Sequence, residues 1–170
     1  IDMKDLKFCA YPSYDEIRKV GVTGIFLGHY IKWDARSQVE IVKKLGFNVL
    51  DEPNEGTYTN YENLDTKYVA IHDYFKFLKF GYGRATDHAS IDIRNKRLAR
   101  EEGLKLVIQH EGKIPTKYLK EFLDDFELTE KEFLQVCDKF TNKSLFKTDE
   151  NGDLIRDKNN NIEKIAFDNI

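Results

Sequence analysis

The sequence predicts a mainly α-helical chain with one short N-terminal strand and a small C-terminal β-hairpin. Three observations carry this. Between Asp65 and Phe140 apolar residues recur at helical spacing, in stretches punctuated by capping residues, glycine or proline. Ahead of them, Thr23-Gly24-Ile25-Phe26-Leu27-Gly28 is short, apolar and bracketed by glycine. Behind them, Asn151-Gly152 separates Leu145-Phe146 from Leu154-Ile155, the pattern of a type I′ turn. The expected divisions are 1–50 (strand plus helix), 51–142 (helical) and 143–170 (hairpin tail), with no visible repeat.

Each element has its own signal. The apolar run at 23–28 reads as a buried strand. Asp34 is placed to cap a helix from Ala35 to Leu45, with Val39, Ile41, Val42 and Leu45 inward and Gly46 as its stop. Asp51 to Glu62 reads as a loop carrying Thr57-Tyr58-Thr59-Asn60-Tyr61. Asp65 to Phe80 is apolar around most of its circumference, which marks a central helix. A short helix is expected from Thr86 or Asp87 to Arg94-Asn95. Another follows from Arg100 to Gln109, with Leu104, Val107 and Ile108 inward. Pro115 suits the first turn of a helix reaching Asp125. Thr129 and Glu132 form a capping-box pattern for the last one, ending near Phe140. Asn159-Asn160-Asn161 offers a further turn in the tail.

The 170 residues are 41% apolar and 34% charged, with a formal net charge of −3. That balance describes a globular domain with a real core and argues against a general nucleic-acid binder. Nothing approaches about eighteen consecutive apolar residues, so membrane insertion is not expected. Cys9 and Cys137 lack companions at metal-ligand spacing, so no metal site is expected and the default setting is a reducing cytoplasm. Met3 is internal, and the chain is expected to be cut from something longer.

The richest chemistry lies in Phe80-Gly81-Tyr82-Gly83-Arg84-Ala85-Thr86-Asp87-His88-Ala89 and its continuation through Asp92, Arg94, Arg97 and Arg100. Glycine permits left-handed turns and close approach, and arginine presents a planar fork of donors to phosphate or carboxylate. Helix starts near Thr86-Asp87 and Arg100 would add backbone N–H donors for an anion. The alternative pairs these arginines with Asp87, Asp92, Glu101 and Glu102 in salt bridges. Asp87 and His88 are the candidate catalytic groups, although a capping or surface role is the simpler reading of His88. His72 reads as a packed core histidine. Thr57 and Tyr58 offer hydroxyls and a ring to a sugar or base, and Trp33 lies where a ligand-contacting loop is expected.

Several of these motifs, in this order, resemble the C-terminal half of the N-acetyl sugar amidotransferases. They are Gly56-Thr57-Tyr58-Thr59, Leu78-Lys79-Phe80-Gly81-Tyr82-Gly83-Arg84-Ala85-Thr86-Asp87, Asp92-Ile93-Arg94 and Arg100-Glu101-Glu102-Gly103. Gly28-x-Tyr30-x-x-Trp33-Asp34 resembles the stretch ahead of them, and the likeness spans roughly Tyr11 to Phe140. The resemblance implies the helical C-terminal region of an α/β PP-loop enzyme of surface-glycan and flagellin-sugar biosynthesis. It implies ATP-dependent conversion of an acetamido to an acetamidino group on a nucleotide sugar or sialic-acid-like sugar. ATP with Mg would activate the amide, and a glutaminase subunit would supply ammonia. The family's Ser-Gly-Gly-x-Asp-Ser ATP loop is absent from this sequence, so the chain alone is expected to be inactive. Substrate contacts are expected from Arg84, Thr86, Tyr58, Thr57, Arg94 and Trp33. A competing reading is a helical module that docks the glutaminase through Phe122 and Phe133. Where the family usually has Thr before Arg-Glu-Glu, this chain has Ala99.

Overall fold

The computed structural model describes residues 2 and 4–165. They are mainly helical and fall into two compact units, one ending at Leu45 and the other starting at Gly46. No helix among the described residues is long and apolar enough to cross a membrane.

The first unit holds α1 (Tyr14–Val20) and α2 (Ala35–Lys43). Helix α1 opens on a reciprocal capping box: Glu16 N–H donates to Ser13 Oγ at 3.3 Å, and Ser13 N–H donates to Glu16 Oε2 at 2.8 Å. At α2, Asp34 precedes the first turn as expected, but its carboxylate accepts from the Ser37 hydroxyl at 2.6 Å and not from the helix backbone. The expected strand at 23–28 is absent. Leu27–His29 forms a 3₁₀ turn, Ile25 and Phe26 are exposed, and no described strand lies in this unit to complete a ladder. The expected inner face of α2 is also exposed at Ile41 and Leu45.

The second unit is built around α3 (Val69–Phe80). It begins four residues after the expected Asp65, because Thr66 accepts from Tyr68 N–H through its hydroxyl and from Val69 N–H through its carbonyl, holding 66–68 as a turn. Its buried Ile71, Tyr74, Phe77 and Leu78 join Phe133 and Cys137 of α7 (Glu130–Phe140) and Phe146 and Ile162 of the tail in one cluster. Removing such a side chain from water contributes about 1.5–3 kcal/mol. The Thr129–Glu132 box at the start of α7 forms as predicted. Phe133, offered above as a docking residue, is 1% exposed and belongs to this core. His72 is not packed; its side chain is 78% exposed on the outer face of α3.

Helix α6 (Leu119–Asp125) starts later than Pro115 implied. The Glu55 carboxylate accepts from Thr116 N–H (2.8 Å) and Lys117 N–H (3.0 Å), so the donors freed there are satisfied by a distant side chain. Helices α4 (Arg84–Arg94) and α5 (Arg100–His110) pack closely against each other. A Cβ on Gly103 would lie 2.8 Å from Ile93 Cδ1 and 3.5 Å from Ala89 Cβ, which shows how near α4 lies. That approach sets the roll of α5: Gly103, Leu106 and Val107 face inward, while the expected Leu104 and Ile108 are exposed.

The tail contains a repeat that composition concealed. Residues 147–154 and 155–162 each make the same turn, with Gly152 (φ 82) and Asn160 (φ 67) at equivalent places. Asp149 Oδ1 accepts from Asn151 and Asp153 N–H, and Asp157 Oδ1 accepts from Asn159 and Asn161 N–H. Isolated antiparallel bridges Phe146–Lys164, Thr148–Leu154 and Arg156–Ile162 tie the turns together. The turn at Asn151-Gly152 is not type I′, because Asn151 keeps a negative φ; Gly152 N–H donates back to Asp149 C=O at 3.1 Å.

Candidate functional site

The site is assembled by α4 and the loop ahead of α3. Gly56, at φ 84, turns its carbonyl to accept from Ala85 N–H at 3.1 Å, pinning the loop to the start of α4. From there Thr57, Tyr58 and Thr59 engage the helix in turn. Thr57 Oγ1 lies 2.6 Å and Thr59 Oγ1 3.1 Å from His88 Nδ1. Tyr58 OH donates to Asp92 Oδ2 at 2.9 Å, and Arg97 Nε donates to Asp92 Oδ1 at 2.6 Å. His88 and Asp92 stand one helical turn apart and are both buried, so α4 grips the loop through two polar anchors.

The other ring nitrogen of His88, Nε2, lies 2.7 Å from Glu62 Oε2. An ionised carboxylate only accepts, so Nε2 carries the hydrogen and donates it. That hydrogen bond holds the Glu62 carboxyl below its ordinary range against the opposing effect of burial, and the nearby Arg84 guanidinium adds to it. His88 is thus neither a helix cap nor a free base; both nitrogens are committed.

One face of α4 opens beside Glu62 as a cleft of about 390 Å³, lined by Glu62, Arg84, Asp87, His88, Ser90, Ile91 and Arg94. This is within the roughly 300–1,000 Å³ usual for small-ligand sites. Its charges are unequal in availability. Arg84 Nε and Nη2 donate to Asp73 at 3.2 and 3.1 Å, and the Asn63 amide oxygen, in the orientation that satisfies both groups, accepts from Arg84 as well. Asp87 pairs with Lys76. Arg94, exposed at the far end, has no hydrogen-bond or ion-pair partner among the described residues.

The sequence-derived candidates therefore separate. Arg84, Asp87, His88 and Arg94 line one cleft, and Thr57 reaches it through His88. Tyr58 is engaged with Asp92. Thr86 points elsewhere: its N–H and hydroxyl donate to Glu111 Oε2 at 3.0 and 2.7 Å. The backbone donors expected to bind an anion at the start of α4 are consumed by Gly56 and Glu111. Arg97 takes the salt-bridge alternative, and Trp33 is exposed in the first unit. Sequence reasoning missed Glu62, Asp73 and Glu111. Only Asp73 left a signal, as a lone acid within the apolar face of α3. Among the described residues no group of three or more His, Cys, Asp or Glu is arranged to hold a metal ion.

Residues 55–160 match the family described as LPS biosynthesis protein WbpG-like, C-terminal domain. No curated protein matches the chain.

Proposed function

The chain belongs to the WbpG-like C-terminal domain family of LPS biosynthesis proteins, and from that premise we propose that its α4 cleft holds the sugar substrate of an ATP-dependent N-acetyl sugar amidotransferase. In this reading an acetamido group on a nucleotide sugar becomes an acetamidino group, for use in an O-antigen or flagellin glycan. A glutaminase subunit delivers the ammonia. Activation by ATP and Mg is assigned to other parts of the enzyme, and substrate recognition to this chain.

The observation that carries the reading is a cleft lined both by a guanidinium, Arg94, that has no partner among the described residues and by a carboxylate, Glu62, fixed by His88. A nucleotide sugar needs a cation for its phosphates and acceptors for its hydroxyl and amide hydrogens, and this face supplies both. Arg84 takes a structural part, because its donors are already bound to Asp73.

The test is calorimetric titration of UDP-N-acetylglucosamine into the protein and into Arg94→Ala. Loss of a charge-assisted hydrogen bond, about 1.5–3 kcal/mol, weakens binding by about tenfold or more without altering the circular dichroism spectrum. Equal affinity for the two proteins removes Arg94 from the site, and no binding at all removes the reading.

A further inference from the structure

Glu62 carried no sequence signal, yet it lines the cleft with its carboxylate bound to the buried His88. Its Oε2 takes the His88 Nε2–H, while no described residue donates to Oε1. His88 is in turn held from behind by the Thr57 and Thr59 hydroxyls, and all three of these side chains are buried. The carboxylate is therefore held at the cleft wall, with one oxygen bound and no described donor on the other. The neighbouring charges have partners of their own: Arg84 donates to Asp73, and Asp87 pairs with Lys76.

We propose that Glu62 recognises the amidinium group of the product, making the cleft selective for an amidino over an acetamido sugar. This deepens the function proposed above and rests on it. A carboxylate accepts hydrogen bonds and carries negative charge. An acetamido group offers it one N–H together with a carbonyl oxygen, whose lone pairs repel it. An acetamidinium replaces that oxygen with a second set of N–H donors and brings a positive charge, the same forked complement that arginine offers to a carboxylate. Glu62 thus favours the group that gains positive charge as amide becomes amidine, and His88 with Thr57 and Thr59 positions it.

The experiment compares two ligands on the protein: UDP-N-acetylglucosamine and its N-acetimidoyl counterpart. The second is made from UDP-glucosamine and methyl acetimidate, where the sugar amine attacks the imidate carbon and methanol leaves. The protein is expected to bind the amidine about tenfold more tightly than the amide. Glu62→Gln keeps an acceptor for His88 and the size of the side chain, and reduces that preference to about twofold or less. Glu62→Asp, which withdraws the carboxylate, loses the preference as well. Equal binding of the two ligands by the unaltered protein, or a preference that persists in Glu62→Gln, overturns the assignment of Glu62 and leaves the sugar site standing. Binding of neither ligand overturns both.

Discussion

Gly112 fixes the end of α5 so that Glu111 turns back to cap α4 through Thr86, and replacing it tests the frame on which the cleft is built. It sits at φ 80, and a Cβ there would lie 2.9 Å from Phe77 Cζ and 3.3 Å from Cε1. Phe77 is a rigid ring, 6% exposed and packed edge-on to Phe146 at 5.3 Å, so it has little room to retreat. Gly112→Ala therefore incurs about 1–2 kcal/mol for left-handed backbone and a further ~1–3 kcal/mol for overpacking. Gly152→Ala is the matched control: φ is 82, and nothing lies within 4 Å of the added Cβ. It incurs only the backbone cost. Thermal unfolding followed at 222 nm is expected to show a fall in Tm of about 6–15 °C for Gly112→Ala and about 3–6 °C for Gly152→Ala. Equal shifts would mean that Phe77 is not held against Gly112, and the account of how Glu111 reaches α4 would fail.

Other perturbations follow from the same structure. Ala99→Thr supplies the missing hydroxyl opposite Glu102, whose carboxylate already accepts from Ala99 N–H at 2.8 Å, and is expected to stabilise the fold by about 1 kcal/mol in urea unfolding. Burial pushes the Cys137 thiol up to about 12, while Cys9 is exposed, so native protein should titrate one thiol with a disulfide reagent at pH 8 and two after denaturation. The folded-state value of Glu62 is lowered, so its contribution is present above its unfolded value of roughly 4.3 and is lost as pH falls through the folded value. Denaturant titrations between about pH 6 and 3 should show a steeper acid loss in the unaltered protein than in Glu62→Gln. Parallel curves would contradict the His88–Glu62 bond.

Elements with local punctuation were legible in the sequence. The aromatic run of α3, the Thr129–Glu132 box of α7 and the turn residues of the tail each act within a few positions of themselves. Ser13 and Glu16 carry the same capping signal for α1, but little apolar periodicity follows it to mark a helix. The failures were tertiary. Leu104 and Ile108 face outward because Gly103 lets α4 approach on another side of α5, which no single-helix pattern encodes. His72 is exposed although its neighbours are core, since α3 keeps one polar edge at that register. The strand expected at 23–28 lacks a partner strand among the described residues of its unit.

At the site, the arginines and His88 were readable as residue types but not as available groups. Asp73 lies 11 positions before Arg84, and Glu62 lies 26 before His88. Nothing local announces either pairing. The cleft arginine without a partner among the described residues proved to be Arg94, whose sequence surroundings differ little from those of Arg97, which is bound to Asp92.

A crystal structure of the protein soaked with UDP-N-acetylglucosamine tests the central claim most directly. The account places the ligand on the open face of α4, with an anionic group within hydrogen-bond distance of the Arg94 guanidinium and the sugar amide beside Glu62. Ligand bound elsewhere, with that face of α4 bare, would contradict it.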